Sequence, residues 1–154
     1  LDDDLSESAE EVAVTFHANQ DVMGTATVNN QPVNETPPTL SIATTSPLEA
    51  PEGVATTVAL SLSKPAGSDM TIRYTFMAGN NNPASPTDLT NGFTTEEVRI
   101  LQGQVSINIL VPVVSDAIPE GTEEITLTLT SISGPVVNLA PDQSTITINI
   151  PTNN

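Results

Sequence analysis

The chain contains no cysteine and no tryptophan, and its only aromatic residues are Phe16, Tyr74, Phe76 and Phe93. Without thiols there is neither a disulfide framework nor a thiolate zinc site. So few rings cannot build a stacking platform for sugars or for single-stranded bases. Positive charge is scarce too: Lys64, Arg73 and Arg99 stand against 19 acidic residues, giving a net charge of −16. Such a surface repels phosphate backbones and anionic lipid headgroups, which excludes nucleic acid as a partner. No run approaches the roughly 18 consecutive apolar residues of a membrane-spanning helix, so no transmembrane segment is expected. The long Ala/Leu/Glu/Lys stretches of helical proteins are also missing.

What is present is abundant threonine and serine together with 13 prolines in 154 residues, the composition of β-strands broken by turns. The length suits one ordinary domain with an extension. Residues 1–11 are acidic and nearly devoid of large apolar groups, so they read as a flexible leader that cannot repay its ordering entropy. Residues 12–37 read as a β-hairpin and linker. Val12, Val14 and Phe16 alternate with Ala13, Thr15 and His17, Asn19-Gln20-Asp21 makes the turn, and Pro32 and Pro37-Pro38 mark the linker. Residues 38–151 form the main domain and 152–154 a tail.

Within that domain the period is two throughout. Inward positions fall at Leu40 and Ile42, at Val58, Leu60 and Leu62, and at Ile72, Tyr74 and Phe76. Strands at 93–100 and 105–113 flank the turn Leu101-Gln102-Gly103-Gln104, and two more follow at 125–129 and at Ile146, Ile148 and Ile150. Seven strands at this spacing predict an all-β fold, a seven-stranded antiparallel Greek-key sandwich of immunoglobulin-like form. The loop at 78–91 is long enough to carry function.

Residues 115–124 concentrate acid: Asp116, Glu120, Glu123 and Glu124 precede the alternating run that begins at Ile125. If the strands run alternately up and down, the loop after the first strand (Glu49, Glu52), the loop after the third (Asp88) and this one share a pole. Two carboxylates about 5 Å apart repel by roughly 3 kcal/mol at an effective dielectric near 20, so the pole must spread out, raise its pKa values or take a cation. Calcium fits best, as a hard ion served by 6 to 8 oxygens from flexible loops. Plain solvation of exposed acidic loops is the competing reading. Glu49 and Glu124 are expected to stand apart from any cation, Glu124 because it faces away from Glu123 as the strand begins.

These residues resemble the Calx-beta domain. The similarity spans about 38–150 and rests on Glu52-Gly53 before the second strand, Asp88, Val98-Arg99-Ile100-Leu101-Gln102-Gly103-Gln104, and above all Asp116, Glu120 and Glu123 ahead of the strand at 125–129. The resemblance implies an immunoglobulin-like fold and a calcium site built from Glu52, Asp88, Asp116, Glu120 and Glu123. It also implies an aspartate run after the last strand, where this chain has Pro151-Thr152-Asn153-Asn154. At most one ion of moderate or weak affinity is then expected.

His17 is the sole histidine, with no nucleophile, base and acid grouped around it, and the acidic loop lacks the apolar cleft a glycosidase pair needs, so no enzyme is expected. Asn80-Asn81-Asn82-Pro83 reads as a set of turns whose amide oxygens can assist a cation. The expectation is a non-catalytic, exported module of a bacterial surface or secreted protein, for adhesion, matrix contact or spacing. The leader would suit the tether of a lipoprotein anchored upstream of residue 1. The alternative is a metal-free module capturing an extracellular peptide, glycan or protein partner along a sheet edge or through the 78–91 loop.

Overall fold

A computed structural model describes residues 11–17, 23–29, 36–116 and 119–152. The leader up to residue 10, the turn at 19–21, most of the linker and the last two residues of the tail lie outside the described residues. Strands β1 (Glu11–His17) and β2 (Met23–Asn29) pair antiparallel, with Val14 opposite Ala26.

The main domain is a two-sheet sandwich built from β3 (Thr39–Ile42), β4 (Leu48–Glu49), β5 (Thr56–Leu62), β6 (Met70–Ala78), β7 (Thr95–Ile100), β8 (Ser106–Val111), β9 (Glu123–Ser133), β10 (Asn138–Leu139) and β11 (Thr145–Ile150). One sheet has the order β10-β3-β5-β8, the other β4-β11-β9-β6-β7. Helix among the described residues is limited to two three-residue 3-10 turns, Pro86–Asp88 and Pro141–Gln143.

The alternation of the sequence sets the faces. Val58, Leu60 and Leu62 from one sheet meet Ile72, Phe76, Ile125, Leu127, Ile146 and Ile148 from the other, all nearly inaccessible to water. Each such aliphatic or aromatic side chain contributes roughly 1.5 to 3 kcal/mol by leaving water, which is what holds the sheets together. Threonine fills outward positions, and Thr128 and Thr145 lie opposite each other with their hydroxyls 3.1 Å apart.

Four expectations need correction. Among the described residues the sandwich has nine strands rather than seven, and it is mixed rather than purely antiparallel: β10 runs parallel to β3 and β4 parallel to β11. Both additions are two residues long. After Ile42 the chain leaves one sheet, passes the cis Ser46–Pro47 peptide and joins the other as β4, so one edge stretch serves both sheets. The strand expected at 125–129 is also longer at both ends and starts at Glu123. The strand expected to end at 113 stops at Val111, where Pro112 removes a ladder donor.

Candidate metal centre

Three connections, β4 to β5, β6 to β7 and β8 to β9, meet at one pole. Gly53 follows Glu52 with φ of 70°, a left-handed conformation that suits glycine and closes the turn in which the Val54 N–H reaches the Pro51 carbonyl at 3.2 Å. This turn faces the segment after β8: Glu52 Oε2 accepts the backbone N–H of Asp116 at 3.2 Å. Glu52 and Asp116 are thereby neighbours, although they stand far apart in sequence.

Asp88 is placed by a capping box. Ser85 caps the short 3-10 turn, its Oγ accepting the Thr87 N–H at 3.4 Å, while Asp88 Oδ2 accepts the Ser85 N–H at 2.6 Å. The next residue, Leu89, is buried and bridges Val113, and the Val114 N–H donates to the Asp88 carbonyl at 2.8 Å. Asp88 is thus fixed from both sides. Ser85→Ala is expected to lower the melting free energy by about 1 kcal/mol, the usual worth of a cap, as read by urea titration monitored by circular dichroism.

Glu120 lies in the segment between Pro119 and β9, and Glu123 opens β9 opposite Ile150. One carboxylate oxygen each from Asp88, Glu120 and Glu123 falls within 4.8 Å of the others, and all three residues are half-buried. At that spacing the ionised carboxylates repel one another. The strain appears in the titration behaviour. Partial burial, a side-chain hydrogen bond with Asp88 and the charges of Asp88, Glu120 and Glu52 push Glu123 up to about 7. Glu120 is raised as well, by desolvation and then by the charges of Asp88, Asp116 and Glu52. In the metal-free state Glu123 therefore holds its proton more tightly than an ordinary carboxyl, which relieves part of the repulsion.

Of the five residues expected at the site, Asp88, Glu120 and Glu123 therefore converge, while Glu52 and Asp116 pair beside them and act on the cluster through their charge. Glu49 and Glu124 are engaged elsewhere. Glu49 accepts from Asn149 Nδ2 at 2.9 Å. The Glu124 carboxylate accepts the backbone N–H groups of Asn80 and Asn81 at 2.7 and 3.3 Å, and the Asn80 bond in particular holds it below the usual carboxylate range.

Of the asparagines at 80–82, Asn82 gives an amide N–H to the Thr122 carbonyl at 2.6 Å. The segment after β11 passes the pole, with the Thr152 hydroxyl 3.3 Å from that of Thr122. The Ser85-Pro86-Thr87-Asp88 box escaped the sequence reading, although its spacing was visible.

No protein-family model matches the chain, and no curated protein matches its sequence. Solved structures do resemble it. The apo form of the Calx CBD1 domain superposes with a TM-score of 0.60 at 15% identity, covering 77% of this chain and all of that one. The calcium binding domain CBD12 of CALX1.1 gives 0.54 at 16% identity over 66% of this chain and 41% of its own length. The Calx CBD2 domain gives 0.58 at 8% identity over 73% of this chain and 85% of that one. At such identities the likeness shows the Calx-beta-like fold.

Proposed function

We propose that the chain is a non-catalytic, calcium-binding β-sandwich module whose ion sits at the acidic pole, held by Asp88, Glu120 and Glu123 and attracted by Glu52 and Asp116. The observation that carries this reading is the convergence of three carboxylate oxygens within 4.8 Å from two separate loops and the first residue of a strand. Burying that much like charge opposes folding unless something positive joins it. Support also comes from structural likeness, since one of the similar chains is itself described as a calcium binding domain.

Three carboxylates supply three to six oxygens, and water and loop carbonyls complete the shell that calcium prefers. With no aspartate run after β11, a single ion of about 0.1 to 1 mM affinity is the expected capacity, the range of extracellular modules. The five-carboxylate set, the immunoglobulin-like Greek-key connectivity and placement outside a bacterial cell as an adhesion, matrix-contact or spacer module belong to the same proposal. In that setting calcium at millimolar levels would fill the pole and stiffen one end of the sandwich. Isothermal titration with calcium chloride is expected to show one binding event near neutral pH, and magnesium, which demands a stricter octahedron, to compete poorly. A titration without binding heat, at several temperatures, overturns the reading.

A further inference from the structure

We infer that Glu124 and Asn82 are positioning residues for the cation centre, fastening residues 79–84 to the start of β9 and thereby fixing the link between Glu120 and Glu123; this rests on the calcium reading above. Glu124 follows Glu123 directly, and strand alternation turns the two carboxylates to opposite faces. Glu123 joins the acidic cluster. Glu124 is committed to the neighbouring loop, with Oε1 accepting the Asn80 and Asn81 N–H groups at 2.7 and 3.3 Å and Oε2 accepting Asn81 Nδ2 at 3.4 Å. Its main chain completes the clasp: the Gly79 and Ala84 N–H groups donate to the Glu124 carbonyl at 2.8 and 3.0 Å, and the Glu124 N–H donates to the Asn82 carbonyl at 2.9 Å.

The bend closes for two local reasons. Asn82 adopts φ of 46°, a left-handed conformation that asparagine tolerates better than most residues. Gly79 leaves room, because a Cβ there would collide with the Glu124 side chain. From this bend Asn82 Nδ2 reaches the Thr122 carbonyl at 2.6 Å. Gly121 and Thr122 are the whole connection between Glu120 and Glu123, and they belong to no strand. A two-residue link between two ion-binding side chains is therefore held by groups outside the cluster. Ordering that link in advance lowers the entropy an incoming cation must overcome.

Charge and geometry separate cleanly at Glu124. Glu124→Gln keeps an acceptor oxygen for the Asn80 N–H while removing the charge, whereas Glu124→Ala removes both. Asn82→Gly keeps the left-handed backbone while removing the donor to Thr122. Calcium chloride is titrated calorimetrically into the wild type and all three variants, and backbone amide exchange at residues 121–123 is followed in the metal-free proteins. Glu124→Gln is expected to stay within about twofold of wild-type affinity, and Glu124→Ala and Asn82→Gly to bind about five- to tenfold more weakly, the worth of one or two hydrogen bonds. Only the latter two are expected to exchange faster at 121–123. Should Glu124→Ala not fold, Asn82→Gly, at an exposed position, carries the same comparison. Equal weakening in Glu124→Gln and Glu124→Ala would show that net charge alone matters and overturn the inference, as would wild-type affinity in both Glu124→Ala and Asn82→Gly. A wild type that takes up no calcium sinks the calcium reading instead; the clasp then stands if exchange at 121–123 accelerates in those two variants and falls if it does not.

Discussion

In about 10 mM calcium chloride the domain is expected to melt about 10 °C higher than in chelator, and the Glu120→Gln/Glu123→Gln double variant to lose most of that gain. The size follows from mass action. For an affinity near 0.1 mM, a hundredfold excess of ion stabilises the folded state by about 2.7 kcal/mol, provided the unfolded chain does not bind. A domain of this length converts each kcal/mol into roughly 3 to 5 °C. The double variant is informative for a second reason. Without calcium it should melt higher than the wild type, because neutral amides remove the desolvation cost and the mutual repulsion that raise both Glu120 and Glu123. A calcium ligand set thus makes the double substitution raise the melting temperature in chelator and lower the calcium-induced gain, whereas a merely solvated loop leaves both proteins indifferent to calcium.

The metal-free wild type is expected to be more stable at pH 5 than at pH 8, by about 1 to 2 kcal/mol after allowance for the partial exposure of Glu123. Its carboxyl titrates near 7 when folded, against an ordinary value of 4.5. A raised folded pKa means that the folded state holds the proton more tightly, so the associated stability is full below the unfolded value and is lost as pH rises through the folded one. Glu120, raised as well, acts in the same direction. Glu124, lowered by the Asn80 N–H, acts oppositely: its stability is present above the ordinary carboxylate range and is lost as pH falls below it. Metal-free stability should therefore peak near the low end of the range between the two effects, around pH 5. Calcium requires the deprotonated carboxylates, so its stabilising effect should grow from pH 5 to pH 8. Urea midpoints across that range, with and without calcium, measure both slopes. A flat metal-free profile, or one unchanged by Glu123→Gln, would contradict the tightened proton binding at Glu123.

Much of this centre was legible in the sequence because it follows from topology. Alternation at Val58, Leu60 and Leu62 and at Ile72, Tyr74 and Phe76 fixes which strands exist, and up-and-down order then puts Asp88 on the same pole as Glu120 and Glu123 whatever the loops do. Alternation also separated Glu124 from Glu123 correctly. What escaped was set by contacts rather than period. β4 and β10 are two residues each, too short for any alternation to register, and they pair parallel because the chain crosses between sheets beside them. Glu123 was expected in a loop but opens β9, since pairing with Ile150 continues the ladder past the apolar run. The Glu124 clasp depends on backbone donors at Asn80 and Asn81, which no residue type announces.

The most direct test is a crystal grown at neutral pH in about 10 mM calcium and inspected at the pole. One strong peak is expected between Asp88, Glu120 and Glu123, with carboxylate oxygens at about 2.3 to 2.6 Å and waters completing the shell. A water in that position, with Glu123 still hydrogen-bonded to Asp88, would contradict it.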